Sequence, residues 1–231
     1  SSAALSAARR DFFEHYLIAD YDGARASDLV ARIGDSRFSG IGLDASSEQA
    51  VTDACREHGI THVLNVVDPR FVMPIFNGAF AAGAGYLDTA MSLSHRHPEK
   101  PFELAHVKLG DDQFAKAGEW EAAGQLALVG IGVEPGLADV FARYAADHLF
   151  SEIDEMGVRD ASNLVVDGYD FAPSFSIWTV IEECLNPPVI WEKDRGWFTT
   201  APFSEPEVFD FPDGIGPVEC VNVEHEEVLL M

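Results

Sequence analysis

Apolar residues fall into short bunches along this chain, parted by polar residues, glycine and proline. His62 to Val67 (HVLNVV) is a short, almost wholly apolar bunch and holds three valines. A strand hidden on both faces reads this way, because a parallel sheet covers both of its surfaces. Asp68-Pro69 interrupts the run. Phe71, Ile75, Ala79 and Ala82 then recur at helical spacing, and Gly83 and Gly85 close the pattern. Tyr86 to Thr89 opens a further strand. Strand, helix and strand within about thirty residues make a βαβ unit. In open sheets built from such units, ligands sit beyond the carboxyl ends of the strands. Asn65 to Pro69 and Asp88 to Met91 are therefore the first places to look for a site.

Upstream, Ser1 to Arg10 predicts a helix and His15 to Asp20 (HYLIAD) a strand ending in an acid. In dinucleotide-binding folds this order follows a first strand and a glycine turn. That strand and turn are expected upstream of Ser1. In such a setting Asp20, with Tyr21 after it, would accept hydrogen bonds from ribose hydroxyls. A carboxylate there repels a 2′-phosphate, and the first arginine is Arg25, so NAD is favoured over NADP. The alternative is that Asp20 and Asp22 cap a helix from Gly23 to Ile33. Phe38 to Leu43 is a third strand, ending at Asp44. Ser46 and Ser47 offer caps for a helix running to His58, with Ala50, Val51, Ala54 and Cys55 on one face. The repeated strand-then-helix order predicts one doubly wound α/β sheet of Rossmann type.

Beyond Leu93 the pattern changes. His95, His97, Pro98 and Pro101 mark a polar loop; His-x-His can ligate a metal, but no Cys or carboxylate cluster accompanies it, and no metal is expected. Gln113 to Ala123 predicts a helix and Leu126 to Val133 a sixth buried strand. Glu134-Pro135-Gly136 ends it, and an amphipathic helix follows over Leu137 to Leu149. The N–H groups at its start could hold a carboxylate. After Ser151, strands are expected at Asn163 to Val166, Pro188 to Trp191, Gly196 to Thr200 and Val218 to Val223. Phe175 to Leu185 predicts a helix with Phe175, Trp178, Ile181 and Leu185 as a core stripe. Leu229 to Met231 is expected within a strand. The chain thus divides into an α/β part over 1–150 and an α+β part over 151–231.

Composition narrows the function classes. The 231 residues hold 39 acids against 15 bases, a formal charge of −24. Nucleic acid and anionic membrane both demand a basic footprint, so neither is expected as a partner. The acidity and the mere four lysines suit an acidic cytoplasmic protein, or one adapted to high salt. Cys55, Cys184 and Cys220 have no regular spacing, which fits a reduced compartment. No apolar run approaches the roughly 20 residues that span a bilayer.

Five segments taken in order, HVLNVVDP, YLD, GVEPGL, PSFSIWT and GIGPVECVNVEHEE, resemble the saccharopine dehydrogenase-like family. That group includes lysine 6-dehydrogenase and carboxynorspermidine dehydrogenase. The resemblance covers essentially the whole chain; GVEPGL, FSIWT and VEHEE are its most specific combination. It implies an NAD(P)-binding Rossmann domain, an inserted α+β domain for substrate and dimer contacts, and a homodimer. It implies hydride transfer between a nicotinamide and the carbon of a C–N bond, on an amino-acid substrate such as saccharopine or lysine. A carboxylated polyamine is the alternative substrate, and a non-catalytic dinucleotide-binding protein the alternative of another class.

The resemblance also implies site residues. Asp20 and Tyr21 would meet the ribose, Asp44 and Ala45 the adenine, and Val66, Val67 and Asp68 the dinucleotide. Ser174, Ser176 and Trp178 would face the substrate, and Arg195 its carboxylate; Arg159 and Lys193 are the other bases nearby. Oxidation of an amine requires removal of a proton from nitrogen, and water attack on the iminium requires a base. His225, flanked by Glu224, Glu226 and Glu227, is the first candidate, and Asp88 at a strand end is the second.

Overall fold

The computed structural model describes residues 2–170, 172 and 176–231. Ser174, and Phe175 at the head of an expected helix, lie outside the described residues. The chain forms two compact units. The first comprises Ser1–Leu64, Met73–Tyr86 and Trp120–Ala127; the second comprises Asn65–Val72, Leu87–Glu119 and Leu128–Met231.

The first unit begins with α1 (Ser2–Ala7), β1 (Tyr16–Asp20), α2 (Gly23–Ile33), β2 (Phe38–Gly42) and α3 (Glu48–Glu57). Caps set the helix boundaries. The Asp22 side chain accepts from the Ala24 N–H at 2.9 Å, and Gly34 closes α2 in the left-handed region at φ 67°. Ser47 Oγ accepts from the Ala50 N–H at the start of α3. β1 and β2 pair in parallel, Tyr16 opposite Phe38 through Asp20 opposite Gly42. Gly40 lets α2 lie directly on β2: a Cβ there would meet the Ala26 carbonyl carbon at 3.0 Å. Ala4, Ala7 and Phe38 centre one core, wrapped by Phe13, Tyr16, Ile18, Leu29 and Ile33. In α4 (Val72–Ala82), Gly78 admits Val51 of α3, since a Cβ would stand 2.8 Å from the Val51 side chain. Phe76, Tyr86 and Trp120 form a second aromatic core.

β3 (His62–Asn65), β4 (Gly85–Asp88) and β5 (Ala127–Leu128) make a three-stranded sheet in that order. The expected single sheet is therefore two sheets, β1-β2 and β3-β4-β5. Within each sheet the strands follow chain order, β1 beside β2 in one and β4 between β3 and β5 in the other. Two strands are shorter than their apolar runs. β3 stops at Asn65, whose Oδ1 accepts from the Val67 N–H at 3.2 Å and turns the chain. β5 stops at Leu128 because Asp88 takes the next donors: its Oδ1 accepts from the Gly130 N–H at 2.6 Å and its carbonyl from the Ile131 N–H at 2.9 Å.

The helix expected over Gln113 to Ala123 is instead two, α5 (Asp111–Phe114) in the second unit and α6 (Ala117–Ala122), which straddles the division at Trp120. α7 (Leu137–His148) and α8 (Ile177–Leu185) match their patterns. β6 (Val189–Glu192) and β7 (Gly196–Thr199) form one antiparallel ribbon. β9 (Gly216–Cys220) forms another with β8 (Glu207–Phe211), a strand the alternation did not disclose. The strand expected at Asn163 to Val166 is absent, and the one expected to reach Val223 ends at Cys220. There Asn222 N–H donates to the Ser204 carbonyl and Glu224 N–H to the Glu183 carbonyl, drawing the chain out of the ribbon. The expected terminal strand is a helix, α9 (Glu227–Leu230). Among the described residues no helix is long and apolar enough to cross a membrane.

Candidate active site

At the strand ends of the first unit, the Asp20 carboxylate accepts from the Asp22 N–H at 3.0 Å, with the Arg25 guanidinium at 3.7 Å. About a third of the side chain stays open, so it retains an edge for a ribose hydroxyl. Asp22 is the helix cap, which separates the two roles that were open for this pair. Tyr21 is exposed. The Asp44 carboxylate is engaged by the Ser46 N–H and hydroxyl, which hold its pKa low, and Ala45 sits in that same turn. These residues fit the ribose side of a dinucleotide.

Val66, Val67 and Asp68 belong to the second unit. Both valines are about half exposed, as apolar neighbours of a cofactor would be. Asp68 caps the turn at Pro69–Phe71 and pairs bidentately with Arg70, at 2.8 and 3.1 Å. Arg70 in turn lies over the Trp178 ring, 5.3 Å from its centroid.

Asp88 has no exposed surface. Besides the Gly130 N–H, its carboxylate accepts from Gln113 Nε2 at 2.8 Å, and Gln113 Oε1 accepts from the Ser92 N–H at 2.8 Å. A carboxylate bonded in this way holds the loop that begins at Gly130 against the end of β4. The loop it anchors, Gly130 to Gly136, folds so tightly that a Cβ on Gly136 would meet the Gly132 carbonyl oxygen at 2.5 Å. The N–H groups expected to be free at the head of α7 are taken. Gly136 N–H donates to Asp139 Oδ2, Leu137 N–H to the Gly132 carbonyl, and Ala138 N–H to the Val133 carbonyl. A substrate carboxylate finds no receptor there.

The chemistry of the second unit gathers around His225. Its Nδ1 hydrogen-bonds Glu227 Oε2 and lies 3.5 Å from Glu226 Oε2; its Nε2 lies 3.7 Å from Glu183 Oε1. Burial alone would push this imidazole down. The Glu227 hydrogen bond and the charges of Glu226, Glu227 and Glu183 outweigh it and raise the pKa to about 9. Beside this group is a cavity of about 20 Å³, room for a water molecule. Pro69, Leu93 and Leu109 supply its apolar lining; Thr179, Glu182, Glu183, Glu224 and Glu226 supply the polar part. Glu183 is raised to about 7, by burial first and then by Glu226, Glu227 and Glu134, while the charge of His225 works against the rise. Glu224 also reaches about 7 through burial, offset by hydrogen bonds from Ser94 and Asn186. Arg96 holds Asn186 Oδ1 with two N–H groups, at 3.1 and 2.9 Å, and so braces that wall.

Of the expected substrate-facing residues, Ser176 caps α8, its hydroxyl accepting from the Thr179 N–H. Trp178 sits under Arg70 on the same helix as Glu183. Arg195 is at the tip of the β6–β7 ribbon, stacked 3.3 Å over Phe198, and does not line the cavity. Arg159 pairs with Glu207 and Glu155. Trp178, Ile181 and Leu185 were expected in the core, yet all three are exposed, while Glu183 on another side of α8 is partly buried. Glu183 was missed because the apolar stripe drew attention to a different side. The only signal for it was the pair of consecutive acids in an otherwise apolar helix.

Parallel strands β1 and β2, each followed by a helix, with the sheet β3-β4-β5 after them, define an α/β fold. Residues 1–128 match the family described as "Saccharopine dehydrogenase NADP binding domain", and the chain belongs to that family. A carboxyaminopropylagmatine dehydrogenase from Synechocystis is 28% identical over 99% of this chain and 54% of its own length. A carboxynorspermidine synthase from Vibrio alginolyticus is 31% identical over 73% of this chain and 39% of its own. The chain thus spans about half, or less, of the curated relatives it matches. Among solved structures, apo saccharopine dehydrogenase (L-Glu forming) from Saccharomyces cerevisiae shares the fold, with a TM-score of 0.56 at 17% identity over 94% of this chain and 45% of that one.

Proposed function

We propose that the protein is an NAD(P)-dependent oxidoreductase that acts on a C–N bond of a carboxylated polyamine. One observation carries this choice over a saccharopine- or lysine-type amino acid. The polar lining of this water-sized cavity is four glutamates and one threonine, which suits a single ammonium group of a cationic amine. The names of the curated relatives point the same way. The nicotinamide supplies or accepts the hydride. This chain's residues handle the proton: reduction of C=N requires one at nitrogen, and oxidation removes it. Glu183 lines the cavity and has a pKa near the working pH, so it is the group that touches substrate. His225 stands behind Glu183 at 3.7 Å, and its positive charge holds the Glu183 pKa down. The reducing direction is expected to slow as pH rises through about 7, where Glu183 loses its proton, and the oxidising direction to quicken. Arg70, next in the chain to the lining residue Pro69 and set over the Trp178 ring, is the cation we assign to the substrate carboxylate.

On the cofactor side Asp20 keeps NAD favoured by repelling a 2′-phosphate, although the family description names NADP and Arg25 would welcome that phosphate. Asp20→Ala leaves Arg25 unpaired and is expected to shift the NAD:NADP preference in kcat/KM by about tenfold toward NADP, the equivalent of roughly 1.4 kcal/mol. An unchanged ratio removes Asp20 from the cofactor site. Incubation of full-length protein with each nucleotide and each amine, read at the nicotinamide absorbance band, tests the function as a whole.

A further inference from the structure

His225 engages only one oxygen of Glu227. The other, Oε1, is buried without a hydrogen-bond partner, and Glu227 as a whole is only 4% exposed. A second orphan lies in the same surroundings. Asp139 spends Oδ2 on the Gly136 N–H, while its Oδ1 is buried and unpartnered. The two residues belong to α7 and α9, which pack on each other. Burial first, and then the charge of Glu227, raises the pKa of both Asp139 and Glu134. Among the described residues, every Lys or Arg ion pair goes to a carboxylate other than Glu134, Asp139, Glu183, Glu226 and Glu227. His225 is thus a single cation among five acids. Buried charge without a counter-charge is costly, as is a buried carboxylate oxygen without a donor. Both costs fall if an ammonium group, with its three N–H donors, enters.

We infer that Asp139 and Glu227 form a receptor for a second, non-reacting ammonium group of the substrate, with Glu134 supplying further negative charge. This rests on the amine-directed function proposed above and deepens it. The nitrogen undergoing reaction meets Glu183, and the receptor measures how far away the next nitrogen lies. The tight glycine turn at Gly136 holds Asp139 in place, since its other oxygen is fixed by that turn's own N–H. A substrate with one amine would leave the receptor empty.

Calorimetric titration of full-length protein with 1,3-diaminopropane and with propylamine tests this. The diamine should bind at least tenfold tighter. Asp139→Asn, which retains an acceptor for the Gly136 N–H, should reduce that advantage to less than threefold, and so should Glu227→Gln, with melting curves confirming that both variants fold. An undiminished advantage in both folded variants, or equal binding of the two probes to the parent protein, overturns the receptor. Turnover of carboxynorspermidine is measured alongside. Turnover with an undiminished advantage in both variants rejects the receptor alone. An advantage that both variants lose, with no turnover, supports the receptor and rejects the proposed reaction.

Discussion

Glu183→Gln is expected to lower kcat in either direction by about 10²- to 10⁴-fold, the usual worth of a positioned proton-transfer group. The loss falls on kcat more than on KM, because glutamine keeps the shape and hydrogen-bonding of the wall. His225→Gln gives a different signature. The imidazolium charge holds the Glu183 pKa down. Without it the titration of Glu183 moves to higher pH, and the pH profile of the reducing direction moves with it. A merely structural histidine would lower activity without moving the profile. Steady-state rates between about pH 5 and 10 check both statements. Linkage has the same origin: the His225 pKa stands at about 9 against an ordinary 6.5. The stability it contributes is complete below about 6.5 and is lost as pH rises through about 9.

Asp88→Ala is expected to destabilise the fold by about 2–5 kcal/mol, because two buried donors, the Gly130 N–H and Gln113 Nε2, lose their acceptor at roughly 1–3 kcal/mol each. Asp88→Asn keeps an acceptor for one of them and should cost about half as much. Urea unfolding followed by circular dichroism distinguishes these outcomes. A change below about 1 kcal/mol for the alanine variant would show that Asp88 does not anchor the Gly130–Gly136 loop. If instead the alanine variant were fully stable but inactive, Asp88 would stay on the list of catalytic candidates.

What the amino-acid order disclosed follows how local each signal is. Asp22, Gly34 and Ser47 are caps that act within a few residues, and α2 and α3 begin and end where those residues say they should. Short apolar runs disclosed most strands but not their lengths, missed β8 and suggested one at Asn163 to Val166 that does not form. Leu126 to Val133 is apolar throughout, yet its backbone donors beyond Leu128 go to Asp88, some forty residues earlier. No local pattern reports such a partner. The division into two sheets was invisible for the same reason. A strand-end acid such as Asp88 reads alike in the sequence whether it faces a ligand or a neighbouring loop, so its bonds to Gly130 and Gln113 were not legible there. His225 could be found, because a histidine among three glutamates is conspicuous. Glu183 could not: it approaches His225 from a helix about forty residues away, and its raised pKa comes from burial that the apolar stripe of α8 seemed to assign to the other face.

Amine-directed hydride transfer is most directly tested by one absorbance measurement. Full-length protein is mixed with NAD or NADP and, in turn, with carboxynorspermidine, carboxyaminopropylagmatine, saccharopine and lysine. The account predicts that the nicotinamide is reduced with a carboxylated polyamine, at a kcat/KM at least tenfold above that for saccharopine or lysine. Faster reaction with saccharopine or lysine would contradict the substrate assignment, and bound cofactor without reduction by any of the four would contradict the reaction itself.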